Sequence, residues 1–108
     1  MILYGLTSCD TCRAAQKALE AAGNVVDFVD VRKSPLDAAA RAQFFRAFGM
    51  ALVNRRSTTW RSLSDAEREI SPDALLALYP TLMKRPVIEG GDVLTLGWDK
   101  AVQAKHLG

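Results

Sequence analysis

The chain has 108 residues, of which 49% are hydrophobic and 24% are charged. This length is typical of one domain, is too short for two, and buries a core that needs no metal or disulfide for stability. Lys and Arg number 14 against 12 Asp and Glu, and a formal net charge of +2 is too small for a basic stripe that binds nucleic acid directly. We therefore expect a single globular domain over residues 1–108.

The N-terminus lacks the basic segment and long apolar stretch of a signal peptide, and no apolar run approaches the roughly 20 residues of a membrane span. We therefore expect a cytoplasmic protein without a membrane contact. Thiols are kept reduced in that compartment, where a close cysteine pair more often does chemistry or binds metal than crosslinks a fold. Cys9 and Cys12 are such a pair.

The first third of the chain has the pattern of a βαβ unit. The apolar run Met1–Tyr4 predicts a buried strand, and the polar loop Thr7–Thr11 follows it. Apolar residues at spacings of three and four then predict a helix that ends at Gly23. Val25–Val31, rich in β-branched residues, predicts the second strand. Both cysteines fall at the turn from the first strand to the helix.

The middle of the chain predicts helices. Start and stop signals mark three of them. The first helix has Ser34 as N-cap with Pro35 after it, and ends at Gly49. The second begins at the capping-box pair Ser64 and Glu67, and the third begins at Ser71 and Pro72 and ends at Pro80. Residues 52–61 show no clean period. We expect residues 34–79 to form a helical insertion between the two halves of a sheet.

The last third returns to strands. Val87–Thr95 predicts a hairpin with Gly90 and Gly91 as its two-residue turn, and Trp98 leads into a terminal helix. The order βαβ, helices, ββα is that of an α/β protein. It predicts a thioredoxin-like fold with a mixed four-stranded sheet and a helical insertion.

A Cys-x-x-Cys at the start of a helix has a direct chemical consequence. The unpaired N–H groups and the dipole at the helix N-terminus favour an anion, so they lower the pKa of the Cys9 thiol. Cys12 lies one turn later, where it can resolve a mixed disulfide formed at Cys9. Asp10 opposes the thiolate by its like charge, and Arg13 favours it.

Two other interpretations of the cysteines stay open at this point. The pair could be half of a zinc site, but there is no second pair, and the only histidine is His106. The two thiols could also be inert core residues, although the polar neighbours favour a loop.

Two groups of arginines add weaker signals. Arg85 precedes Pro86, which stands where a cis-proline would pack beside the active-site cysteine of a thioredoxin-like chain, and Arg85 would offer a positive fork to a thiolate or oxyanion. Arg55, Arg56 and Arg61 are too few for nucleic-acid binding and fit anion binding near the active site or plain solvation.

Four segments carry a resemblance to a known family: Thr7–Ala15, Asn54–Arg61, Lys84–Ile88 and Leu96–Trp98. In order and spacing they resemble the arsenate reductase/Spx family, and the chain is most similar to its YffB-like branch. The resemblance covers essentially the whole chain. It implies a thioredoxin-like fold with a helical insertion and a glutathione-dependent thiol reductase activity.

The resemblance also implies roles for individual residues. Cys9 falls on the catalytic cysteine, and Pro86 falls on the family's cis-proline. Arg56 and Arg85 fall on two arginines that hold the oxyanion around that cysteine. The other residues expected to contact substrate belong to the first loop and helix start: Thr7, Ser8, Asp10, Thr11 and Arg13. No bound cofactor or metal is implied.

Departures from the family pattern leave the substrate open. The arsenate reductases have a His where this chain has Gly5, and a third arginine where it has Leu94–Leu96. Glutaredoxin-linked arsenate reductases have no cysteine at the position of Cys12, whereas Spx-type regulators have a Cys-x-x-Cys switch and bind the RNA polymerase alpha subunit. Arsenate reductase and redox-sensing regulator are therefore the two alternatives to a thiol reductase. As a reductase the chain would be a monomer that works with glutathione or a glutaredoxin- or thioredoxin-type reductant.

Overall fold

A computed structural model describes residues 1–108, which divide into two compact units, 1–31 with 85–108 and 32–84. The strands are β1 Ile2–Gly5, β2 Asp27–Asp30, β3 Val87–Gly90 and β4 Val93–Leu96. The helices are α1 Asp10–Ala21, α2 Ala38–Phe48, α3 Thr58–Ser62, α4 Asp65–Arg68, α5 Pro72–Leu78 and α6 Lys100–Leu107. The longest, α1, has 12 residues, and no helix is long and apolar enough to cross a membrane.

The first unit contains a four-stranded mixed sheet in the order β2-β1-β3-β4. β1 runs parallel to β2 and antiparallel to β3, and β3 runs antiparallel to β4. This arrangement confirms the predicted α/β class and the mixed four-stranded sheet. A core of fully buried residues joins β1, α1 and β3: Leu3, Cys12, Ala15, Leu19 and Ile88. The sheet therefore places Cys12 inside the core of this unit.

The hairpin turn lies one residue later than predicted. Gly90 is the last residue of β3 and pairs with Val93, so the turn is Gly91–Asp92 rather than Gly90–Gly91. Gly91 has a φ of 59°, which glycine adopts without steric cost at the first position of a tight hairpin turn.

The second unit, Arg32–Lys84, contains α2 to α5. The predicted N-cap Ser34 is wrong: α2 begins after Asp37, whose side chain accepts a 2.8 Å hydrogen bond from the N–H of Ala40. Both Ser34 and Asp37 have capping side chains, and Asp37 is the one that reaches a free N–H of the first turn. The predictions at Ser64 and Ser71 are confirmed, with a complete capping box between Ser64 and Glu67.

The second unit extends further along the chain than the predicted 34–79 insertion. The N–H of Asn54 donates to the Leu82 carbonyl at 2.8 Å, and that of Lys84 donates to the Leu52 carbonyl at 2.7 Å. These bonds join the segment after α5 to residues inside the same unit. Helix α3 lies within the stretch without a clean period and begins at the N-cap Ser57.

Candidate active site

Cys9 occupies the N-cap of α1, as the sequence predicts. Its backbone is extended, with φ −90° and ψ 120°, and its carbonyl accepts the first helical hydrogen bond, 3.0 Å from the N–H of Arg13. The N–H of Cys9 donates to the Leu6 carbonyl at 3.0 Å, which fixes the turn between β1 and α1. The half-buried Cys9 sulfur therefore lies at the positive end of the helix.

The surroundings of Cys9 stabilise its thiolate. Burial raises the pKa of Cys9, but hydrogen bonds from the backbone N–H and the thiol of Cys12 lower it more, with help from the hydrogen bond and the positive charge of Arg85. The net result is a Cys9 pKa below its ordinary value. More of the Cys9 sulfur is then ionised near neutral pH, and the thiolate is the nucleophilic form.

Cys12 has the opposite environment. Its side chain is fully buried, and burial raises the pKa of Cys12 to about 12, with a further rise from the Cys9 sulfur and partial relief from the backbone N–H of Leu6. Cys12 therefore keeps its proton near neutral pH and donates it towards Cys9. The two thiols of one motif thus have distinct protonation states.

Arg85 and Pro86 enter the site from the start of β3. The Arg85–Pro86 peptide bond is cis, which confirms the predicted cis-proline. Pro86 is buried, and its carbonyl accepts a 2.8 Å hydrogen bond from the N–H of Gly97. The Nε of Arg85 is buried, and its guanidinium interacts with Cys9. The structure therefore brings Cys9, Cys12 and Arg85 together.

The first loop is fixed by a residue that the sequence analysis did not single out. Asp30, at the end of β2, accepts hydrogen bonds from both the N–H and the hydroxyl of Thr7, at 3.0 and 2.9 Å. The Thr7 carbonyl accepts a 3.0 Å bond from Arg13. Asp30 is 23 residues away from Thr7 in the chain, so only the parallel pairing of β1 and β2 brings it to the loop.

Two charged residues lie in the first turn of α1, close to Cys9 in the chain. The side chains of Asp10 and Arg13 form an ion pair with each other on the exposed face of α1. The residues that shift the pKa of Cys9 are Cys12 and Arg85 rather than this pair. Two other predicted contact residues, Ser8 and Thr11, have exposed side chains near the start of the helix.

Arg56 belongs to the second unit. It is exposed in the turn before α3, where its N–H donates to the side chain of Asn54 at 3.0 Å. Arg55, Arg56 and Lys84 line one open groove. Arg55 also lies over the ring of Trp60, 5.6 Å from its centroid. The predicted role of Arg56 at Cys9 stays a prediction.

Thr95 occupies the segment in which the arsenate reductases have a third arginine. Its side chain is buried, and its hydroxyl lies 2.7 Å from Nε2 of His106 in α6. This segment supplies a structural hydrogen bond rather than a positive charge. No group of three or more His, Cys, Asp or Glu side chains in residues 1–108 is arranged to hold a metal ion.

Comparison with known proteins agrees with this architecture. The family model described as ArsC family matches residues 4–105. An uncharacterized protein of Haemophilus influenzae is 37% identical over 91 residues, which are 80% of each chain. The structure of the YffB protein superposes with a TM-score of 0.88 at 28% identity, covering 99% of this chain and 98% of that one. An arsenate reductase (ArsC) related protein from Brucella melitensis superposes with a TM-score of 0.73 at 32% identity, covering 95% and 91%.

The family match spans nearly the whole chain, and the solved relatives share the α/β architecture over almost their full length. A cis-proline before β3 and a cysteine at the N-cap of α1 complete the thioredoxin-like arrangement. The chain is a member of the ArsC family and has its thioredoxin-like, arsenate reductase-like fold.

Proposed function

We propose that this protein is a thiol-dependent oxidoreductase in which Cys9 is the nucleophile and glutathione is the co-substrate. One observation carries the proposal: Cys9 lies at the N-cap of α1 beside Arg85 and the buried Cys12. These neighbours lower the pKa of Cys9, while burial raises the pKa of Cys12. This difference between the two thiols suits thiol–disulfide exchange, because one sulfur must attack the substrate first and the other must attack the resulting mixed disulfide.

The reaction consists of two exchanges. The Cys9 thiolate attacks one sulfur of a disulfide substrate, a new S–S bond forms, and the other sulfur leaves and takes up a proton. The thiol of Cys12 or of glutathione then attacks the mixed disulfide and releases the second half of the substrate as a thiol. In the Cys12 route the two cysteines lose two electrons and the proton of Cys12, and the first leaving sulfur takes its proton from solvent. Two glutathione molecules then reduce the Cys9–Cys12 disulfide and leave as glutathione disulfide. In the glutathione route a second glutathione attacks the mixed disulfide between Cys9 and the first one, frees the Cys9 thiolate and forms the same glutathione disulfide.

The first exchange also changes the state of Cys12. Burial is the largest cause of the high pKa of Cys12, and the hydrogen bond and charge of the Cys9 sulfur add to it. A mixed disulfide at Cys9 has no negative charge, so the contribution of Cys9 disappears. Cys12 then ionises more easily, at the stage when its attack is required.

Glutathione offers negative charges to the arginines. Its carboxylates fit the planar guanidinium fork, which binds a carboxylate through two hydrogen bonds. In the first unit we assign this role to Arg85, which interacts with Cys9. In the second unit Arg56 is the candidate, because it lines an open groove together with Arg55 and Lys84. A glutaredoxin- or thioredoxin-type protein could replace glutathione as the reductant without a change at Cys9.

Arsenate is the second candidate substrate, since one solved relative is named as arsenate reductase related. The residues favour it less than a thiol substrate, because by resemblance the chain lacks two groups that support the oxyanion: a histidine at the position of Gly5 and an arginine in the segment Leu94–Leu96. The Cys9–Cys12 contact is also compatible with a redox-sensing regulator that binds the RNA polymerase alpha subunit. Catalytic turnover separates either enzyme from the regulator.

Mass spectrometry after treatment with oxidised glutathione tests the proposal on the wild type and on Cys12→Ser. We expect the variant to retain one glutathione on Cys9, because its mixed disulfide cannot be resolved internally. The wild type should instead form the Cys9–Cys12 disulfide and lose the glutathione. Cys9→Ser is the matched control and should take up none. Absence of an adduct on Cys12→Ser, with no disulfide in the wild type, would contradict the proposal.

A further inference from the structure

Gly5, the last residue of β1, lies against the sulfur of Cys12. A Cβ atom built on Gly5 would be 2.5 Å from the Cys12 Sγ, 3.2 Å from the Cys12 Cβ and 3.3 Å from a methyl group of Leu3. The first distance is about 1 Å shorter than an ordinary contact between such atoms. Gly5 does not have a positive φ, so backbone freedom does not explain the glycine here.

The Cys12 thiol lies close to where the side chain of any other residue at position 5 would lie. The backbone N–H of Leu6, the next residue, also interacts with the Cys12 sulfur. Leu3, from two residues earlier, and Cys12 are both fully buried in one core. The thiol is thus held between β1 and α1, and it donates its hydrogen bond to Cys9.

We propose that Gly5 is a positioning residue for the Cys12 thiol: the missing side chain lets this sulfur lie against β1 in contact with Cys9, where it can close a disulfide. This inference rests on the proposed thiol–disulfide chemistry and assigns a residue to its second exchange. In that step an S–S bond forms between Cys12 and Cys9, and the bond from Cys9 to the substrate sulfur breaks. The proton of Cys12 ends on the released thiol.

The aromatic disulfide dithiobis(nitrobenzoate), called dithionitrobenzoate here, measures the rates of the two exchanges separately, because each exchange releases one coloured thiolate. Attack by Cys9 releases the first equivalent, and attack by Cys12 on the mixed disulfide releases the second. In Gly5→Ala we expect the added methyl group to displace the Cys12 sulfur by about 1 Å, because 2.5 Å is too short for a contact between these atoms. We expect the ratio of the second rate to the first to fall by roughly ten- to hundredfold, as for other displaced reacting groups.

Gly90→Ala is the matched control. Gly90 is also a strand glycine, and its added Cβ would lie 3.0 Å from the methyl group of Met1. It pairs with Val93 and has no contact with either cysteine among its three nearest neighbours. The ratio of the two rates should therefore equal that of the wild type. An unchanged ratio in Gly5→Ala would overturn the proposal.

A stability cycle keeps the inference testable even where Gly5→Ala folds poorly. Removing the sulfur with Cys12→Ala removes the closest contact, so Gly5→Ala should lower the Tm by at most half as much in that background. An equal loss of Tm in both backgrounds would overturn the steric pairing. If the wild type itself reacts with dithionitrobenzoate no faster than a small free thiol, the proposed function fails, while the stability cycle still decides the role of Gly5.

Discussion

At the residue scale, the proposed chemistry depends on three side chains: Cys9 carries the negative charge, Cys12 keeps a proton, and Arg85 is positive. Cys9, Cys12 and Arg85 are brought together by the start of α1 and the start of β3. Cys12 contributes a proton that it does not readily lose, and Arg85 contributes a positive charge beside the Cys9 sulfur. The Cys9 sulfur is the group of this cluster that ionises first.

Arg85→Gln tests the contribution of the positive charge. We expect the pKa of Cys9 to rise towards its ordinary value, because a neutral amide removes the attraction and replaces the guanidinium hydrogen bond by a weaker one. The rate of attack on a disulfide at pH 6 should fall about tenfold. This loss is smaller than the one that follows removal of an oxyanion-hole donor, because the contacts of Cys12 with Cys9 remain. Stopped-flow kinetics with dithionitrobenzoate measures it.

Arg85→Lys is the control for that prediction, since it keeps the charge and loses the planar fork. Its rate should lie between those of the wild type and Arg85→Gln. If Arg85→Gln reacts as fast as the wild type at every pH, Arg85 does not stabilise the thiolate.

At the element scale, the end of the chain is tied to the sheet by one polar contact. Helix α6 begins at the N-cap Asp99 and bonds through His106 to the buried hydroxyl of Thr95 in β4. Burial, and then the positive charge of Lys105, hold the pKa of His106 below its usual value. His106 is therefore neutral in the folded protein at pH 7.

The pH dependence of stability tests this contact. The unfolded chain binds the His106 proton from about pH 6.5 downwards, and the folded chain binds it only at lower pH, so the free energy of unfolding falls on acidification below about 6.5. Denaturant unfolding of the wild type and His106→Gln between pH 7 and pH 5 should show a steeper loss in the wild type. An NMR titration of this single histidine gives its pKa, and a midpoint at or above 6.5 would contradict the assignment.

Local signals predicted much of this architecture. Helix caps act within one turn of their own helix, so a few neighbouring residues are enough to predict where a helix begins or ends. The caps predicted in this way are Gly49, Ser64 with Glu67, and Ser71 with Pro72. The Cys-x-x-Cys motif is local in the same sense, which is why Cys9 could be placed at a helix N-terminus.

Contacts that depend on the folded chain could not be predicted in this way. Asp30 reaches Thr7 only because β1 and β2 pair in parallel, and Gly5 meets the Cys12 sulfur only because α1 packs on β1. Two capping residues, Ser34 and Asp37, compete for one helix start, and the sequence does not say which one wins. Thr95 has no sequence signal for its bond to His106.

At the scale of the whole molecule, the fold is that of the ArsC family, and the family match does not decide the substrate. Substitutions at the site refine the activity while the architecture stays the same. By resemblance, Gly5 stands where the arsenate reductases have a histidine, and Leu94–Leu96 stands where they have a third arginine. Cys12 adds a second thiol that the glutaredoxin-linked enzymes do not have. These differences are the reason why we propose thiol–disulfide exchange as the activity of this protein.

The pH dependence of Cys9 alkylation by iodoacetamide tests this account most directly. The thiolate is the reactive form, so the rate follows the ionised fraction of Cys9, and mass spectrometry of the peptide confirms the modified residue. The buried, protonated Cys12 should stay unmodified over the same range. We predict a midpoint below about 8.5, the ordinary value for a free cysteine. A midpoint at or above that value would show that Cys9 is not an activated nucleophile.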